Sequence, residues 1–99
     1  MNYETVAKAL NVAKKYPYLV RVGVFGSYAR GEDYNDIDII FEYDNSDEEY
    51  LDNIDDFMEE LETHITTKTD YITFNSLMKD EKSAFREAVL KDVRWLYVK

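Results

Sequence analysis

Two short runs in this chain have the residue types and the spacing to do chemistry: Gly26-Ser27 and, after eight intervening residues, Asp36-Ile37-Asp38. An apolar run ends in the Gly-Ser turn, and a second apolar run opens with the two carboxylates. Side chains at i and i+2 of a strand point to the same face, so Asp36 and Asp38 are expected side by side. Adjacent carboxylates repel, and a divalent cation relieves the repulsion. Hard oxygen donors suit Mg²⁺, which commonly takes one or two carboxylates together with substrate phosphates. Gly26 lets the backbone approach a phosphate with no Cβ in the way. Ser27 adds a hydroxyl where a helix begins, a place that favours anions. Arg30, three residues on, could reach a triphosphate as a planar donor. The pattern points to a metal-dependent enzyme acting on nucleoside triphosphates.

A third carboxylate would complete such a site. Asp70 is the only acid in Thr67-Lys68-Thr69-Asp70-Tyr71-Ile72-Thr73-Phe74, and an acid buried in an apolar strand is costly unless paired or metal-bound. Three convergent carboxylates could hold two Mg²⁺ ions, one activating the attacking oxygen and one holding the triphosphate. The competing reading of Asp70 is an edge-strand or turn residue facing water.

The elements that must position these groups alternate between helix and strand. Residues 2–16 place Val6, Leu10 and Ala13 at helical spacing, and Tyr16-Pro17 stops the run. Residues 19–25 read as a Val-rich strand, a short helix runs from Ser27 to near Gly31, and residues 36–42 read as a central strand covered on both faces. Ser46-Asp47-Glu48-Glu49 fits a capping box. The helix it opens carries Leu51, Ile54, Phe57 or Met58, Leu61 and Ile65 on one face. Thr66–Phe74 is a third strand. Asn75 or Ser76 caps the region leading to a final helix over about 80–96, with Phe85, Val89, Val93 and Leu96 inward. For Gly26-Ser27 and Asp36 to reach one site, the first two strands must run antiparallel. The expectation is an α/β (α+β) fold in the order α-β-α-β-α-β-α, around a small mixed sheet of three strands.

On Phe25-Gly26-Ser27-Tyr28-Ala29-Arg30-Gly31-Glu32, Asp36-Ile37-Asp38 and Thr69-Asp70-Tyr71-Ile72, the chain resembles minimal nucleotidyltransferase domains of the DNA polymerase β-like superfamily. Many of these are antitoxin halves of modules paired with a HEPN-type ribonuclease toxin. The resemblance implies an antitoxin that transfers AMP from ATP, with Mg²⁺, to a tyrosine of a cognate HEPN toxin in a hetero-oligomer. It also implies that Gly26 and Ser27 contact the triphosphate while Asp36, Asp38 and Asp70 bind metal. The connection between Ser27 and Asp36 is shorter than is usual in the family, and Asn35 stands where a serine often precedes the first aspartate. A shortened loop could draw the aspartates out of line with the phosphate cradle. That keeps a second reading in view: an antitoxin that neutralises its toxin by direct binding. Nucleotide transfer to an antibiotic ranks lower, because 99 residues leave no room for a drug pocket.

Composition narrows the partners. Ninety-nine residues are expected to form one domain. There is no cysteine, which excludes disulfides and thiolate metal sites. The N-terminal residues lack a basic and apolar leader pattern, and no 18-residue apolar run occurs, so the expectation is a soluble cytoplasmic protein with no membrane role. A formal net charge of −9 argues against direct nucleic-acid binding, which depends on neutralising phosphates. The charge is uneven: residues 31–67 contain no Lys or Arg, whereas residues 1–30 carry five bases and one acid. An acidic flank either attracts a basic protein or is a solvated face. His64, the only histidine, ends the acidic helix and is assigned no chemistry. The tail from Val93 to Lys99 carries apolar groups all round a helix, part packing and part docking surface, since Trp, Tyr and Arg are favoured interface anchors.

Overall fold

The computed structural model describes the backbone of residues 4–46, 49–79 and 83–99, without the side chains of residues 4, 5, 9 and 49–52. Helix α1 spans Glu4–Leu10 and passes into a 3-10 helix, Asn11–Lys15, rather than continuing as one α-helix. Val6, Leu10 and Ala13 are nonetheless all buried. The run stops at Tyr16, which is extended (φ −120°, ψ 91°), as the residue before a proline prefers.

Four strands follow: β1 (Leu19–Phe25), β2 (Ile37–Tyr43), β3 (Thr69–Thr73) and β4 (Arg94–Val98). They form one sheet in the order β3-β2-β1-β4. Strand β1 is antiparallel to both β2 and β4, and β2 is parallel to β3. The expected antiparallel first pair and mixed sheet are present. The expected three strands are four, because the C-terminus does not stay helical.

The helices fill the connections. α2 is Gly26–Arg30, α3 is Glu49–His64, α4 is Phe74–Leu77 and α5 is Ala84–Asp92. One face of the sheet presents Val22, Val24, Ile37, Ile39 and Phe41 to α1, the 3-10 helix and α3, where Phe57, Leu61 and Ile65 are buried. Ile54 and Met58 of the expected α3 face pack at its margin, and the Leu51 side chain lies outside the described residues. The capping box at the start of α3 also falls on residues outside those described. The second face is thinner: Phe25 and Ile40 meet Leu77 of α4 and Val89 of α5.

Two caps differ from expectation. Asn75 and Ser76 lie inside α4, whose cap is Thr73, with its hydroxyl oxygen accepting from the Ser76 N–H at 3.1 Å. Ser83 caps α5 by accepting from the Arg86 N–H at 3.1 Å. α5 ends at Asp92, and Val93 (φ −57°, ψ 137°) turns the chain into β4. Val93 and Leu96 therefore do not extend a helical stripe, and Phe85 is 55% exposed rather than inward.

β4 docks on β1 through a register irregularity between Val22 and Gly23. A Cβ on Gly23 would lie 2.4 Å from the Arg94 carbonyl oxygen, so the close approach of β4 depends on this glycine. Arg21 pairs with Glu42 at 2.7 Å. Its guanidinium lies 4.0 Å from the Trp95 ring centroid and 4.5 Å from that of Phe74. This arrangement ties β4, β1, β2 and the start of α4 together.

Candidate active site

The turn from β1 into α2 builds the first wall. Phe25 ends β1 in extended geometry, and Gly26 begins α2 at φ 72°, a left-handed conformation that glycine adopts without a Cβ penalty. α2 lasts five residues and closes on Gly31, also left-handed, whose N–H bonds to the Tyr28 carbonyl at 3.2 Å. The Glu32 N–H bonds back to the Ser27 carbonyl at 3.0 Å. Tyr34 stacks edge-on against Tyr28, ring centroids 4.9 Å apart, anchoring the connection to β2.

Asp38 meets that wall directly. Phe25 and Asp38 are register partners across the antiparallel pair, so their side chains share a face. A Cβ built on Gly26 would fall 2.5 Å from Asp38 Oδ2; the absent Cβ is the space this carboxylate occupies. The eight-residue connection is therefore long enough to set the Gly-Ser turn against the second aspartate. On the other side, Asp38 is the register partner of Asp70 in β3, roughly 4.8 Å away in strand spacing. Asp36 immediately precedes β2 and is half-buried, whereas Asp70 is exposed on an edge strand. The burial argument for Asp70 does not hold, and its place beside Asp38 is what links it to the site.

The electrostatics converge on Asp38. Partial burial pushes its carboxyl above the ordinary aspartate range, and the negative charges of Asp70 and Asp36 push it further, against an opposing pull from Arg30. Asp38 is thus the residue on which the other two carboxylates act. Among the described residues no three acidic or histidine side chains stand close enough to form a ready-made metal site. The donor chemistry still fits a hard divalent cation, because these are acceptor-only oxygens at the ends of neighbouring strands. His64 is exposed at the end of α3, on no part of this site.

Arg30 ends the same short helix as Ser27, as expected, and also has carboxylate partners that the sequence did not indicate. Its guanidinium bonds to Glu32 at 3.0 Å, pairs with Asp92 of α5, and approaches the Ser27 hydroxyl at 3.5 Å. Hydrogen bonds to Glu32 and then Asp92 raise its proton affinity further. Arg30 therefore stands at the rim beside Ser27 with two carboxylates already on it.

These groups line a cleft of about 260 Å³ bounded by Phe25, Gly26, Ser27, Arg30 and Asp38 on the sheet side, and by Phe85, Ala88, Val89 and Asp92 of α5. The α5 residues are the ones the sequence reading missed. Their spacing of i, i+3, i+4 and i+7 marks one helix face, and Asp92 at the end of an otherwise apolar stripe was the available signal.

A family model described as a nucleotidyltransferase domain matches residues 6–96. No curated protein matches the chain. Among solved structures, one provisionally described as a minimal nucleotidyltransferase is 25% identical, with a TM-score of 0.66 and 95% of each chain covered. A toxin–antitoxin crystal structure with AMP-PNP is 20% identical at a TM-score of 0.60, covering 100% of this chain and 75% of the other. A chain in the complex of a tri-AMPylated Shewanella oneidensis HEPN toxin with MNT antitoxin is 18% identical at a TM-score of 0.61, covering 100% of this chain and 74% of that one.

Proposed function

Because this chain belongs to the nucleotidyltransferase domain family, we propose that it transfers AMP from ATP to a tyrosine of a cognate HEPN-type toxin and so neutralises it. The observation that carries this reading is the Asp38 carboxylate held against the missing Cβ of Gly26, with Asp36 and Asp70 acting on its charge. The Gly26-Ser27 turn and Asp38 line one cleft, and Asp70 is the register partner of Asp38 in the neighbouring strand.

In the proposed reaction the phenolic oxygen of the acceptor attacks the α-phosphorus of ATP. A new P–O bond forms, the bond to the β-phosphate oxygen breaks, and pyrophosphate leaves. Gly26 and Ser27 hold the triphosphate, with Arg30 as a further donor at the rim. Asp36, Asp38 and Asp70 are the residues that would hold Mg²⁺, which when bound offsets the charge of the carboxylates and phosphates. Asp70, the most exposed of the three, takes the phenolic proton in this proposal. The structural relatives that are toxin–antitoxin complexes, one with an AMPylated HEPN toxin, support the choice of acceptor. No helix among the described residues is long and apolar enough to cross a membrane.

A second reading, neutralisation by binding alone, draws on Arg30, whose guanidinium is engaged by Asp92 and Glu32. Isotope position tests the transfer. Incubation of chain and partner with ATP labelled at the α-phosphate is expected to label the partner, and label at the γ-phosphate is expected to leave as pyrophosphate. Partner labelled from γ alone would mean phosphoryl transfer, and no label with full neutralisation would establish the binding reading.

A further inference from the structure

α5 brings an aromatic ring to the edge of the cleft that the reaction itself does not use. Phe85 is 55% exposed, although it is a large apolar side chain in the first turn of a capped helix. Its ring and that of Phe25 meet in a T-shaped contact, with centroids 6.3 Å apart and planes at 84°. Phe85 lines two cavities at once. One is the cleft that contains Gly26, Ser27 and Asp38. The other is an adjoining, mainly apolar hollow of about 220 Å³ lined by Ile72, Thr73, Ser76, Leu77 and Ser83.

We propose that Phe85 is the platform on which the base of the bound nucleoside triphosphate stacks, with the base extending over the adjoining hollow. This rests on the nucleotidyltransferase reading of the neighbouring cleft. A triphosphate held at Gly26-Ser27 carries its base on the same molecule, and Phe85 is the ring that borders both the phosphate cradle and an apolar recess. Every base has a π-face, so an exposed aromatic ring binds it with little regard to its identity. The hollow adds modest polarity. The oxygens of Thr73 and Ser83 already accept from the Ser76 and Arg86 N–H groups. Their hydroxyl hydrogens remain as donors for ring nitrogens or carbonyl oxygens of a base. The Ser83 cap fixes the first turn of α5, and Val89, one turn on, is buried beneath it. The ring is thereby presented from a rigid element rather than a loop.

The test compares ATP with inorganic tripolyphosphate, both with Mg²⁺, on the full chain. Phe85→Ala is expected to weaken ATP binding about ten-fold or more, the scale of one lost base stack, while tripolyphosphate affinity is unchanged. Phe85→Trp is expected to restore ATP affinity, and GTP is expected to bind within a few-fold of ATP. Unchanged ATP affinity in Phe85→Ala overturns the platform and leaves the transferase reading standing. Parallel weakening of ATP and tripolyphosphate also overturns it, since the ring would then support the phosphate cradle instead. Normal ATP binding with lost transfer would assign the ring to the acceptor protein. Wild-type chain that binds neither probe would overturn both readings together.

Discussion

At the scale of single residues, Gly26 and Asp38 shape the site. Gly26 combines a left-handed φ of 72° with a Cβ position 2.5 Å from Asp38 Oδ2. Gly26→Ala is expected to cost roughly 1–2 kcal/mol in stability from the backbone alone. Because it also displaces the carboxylate, transfer is expected to fall on the order of 100-fold. Denaturant unfolding and initial transfer rates check the two effects, and a near-normal rate would contradict the geometry. Asp38 makes a prediction of opposite sign for stability. Its folded carboxyl titrates above the ordinary range, so its charge opposes folding. Below about pH 4 it is protonated in both states and carries no penalty. As the pH rises through the raised folded value, stability declines, and the loss persists at pH 7. Asp38→Asn is therefore expected to melt above wild type at pH 7, with the gain vanishing towards pH 4, and to abolish transfer. A lower melting temperature at pH 7 would overturn this electrostatic picture. The turn glycine and the Asp36–Asp38 spacing were legible in the sequence because both are local signals, whereas the contact of Gly26 with Asp38 across the β1–β2 pair was not. Nor was the Arg30–Asp92 pair, because the partners are 62 residues apart and only the closed fold brings them together.

At the scale of elements, the first two-thirds of the fold could be read from local signals. β1 lies where its Val-rich run predicts, and the antiparallel β1–β2 pair follows from the need to unite the turn and the carboxylates. The C-terminal segment misleads. Arg94-Trp95-Leu96-Tyr97-Val98 has apolar side chains at successive positions, which suits a helix apolar all round as well as a strand covered on both faces. The deciding factor is non-local: β1 has an open edge, and Gly23 permits a close neighbour there. In the structure Trp95 joins the thin α5 face, while Leu96 and Tyr97 pack against the larger core. Gly23→Ala is expected to push the Arg94 carbonyl, and β4 with it, away from β1. The expected destabilisation is about 1–3 kcal/mol, the usual cost of overpacking, with faster amide exchange over residues 94–98 than in β2. Unchanged protection of those amides would show that β4 absorbs the methyl group without shifting. Phe85 was also expected inward and is 55% exposed. Val89 of the same stripe is buried, whereas Phe85, one turn earlier, is left at the cleft.

At the scale of the whole molecule, charge and surface bear on the partner. Residues 31–67, which span β2 and α3, hold 15 of the 21 acids and no Lys or Arg, and Asp55, Asp56, Glu59 and Glu62 are exposed along α3. With a formal net charge of −9, the proposed partner is expected to present a basic face. Association should then slow about ten-fold or more between 0.1 M and 1 M salt, as the screening length falls from about 10 Å to about 3 Å. Stopped-flow mixing reads that rate, and a salt-independent rate would place the contact on apolar surface instead. Composition made this acidic flank legible at once, but a charge count cannot distinguish a docking face from a solvated one. Transfer is tested most directly by the intact mass of a HEPN-type partner co-expressed with wild-type chain or with Asp38→Asn. Added AMP units are expected with wild type alone. A partner that is neutralised yet unmodified in both cases would contradict catalysis and leave a protein that acts by binding.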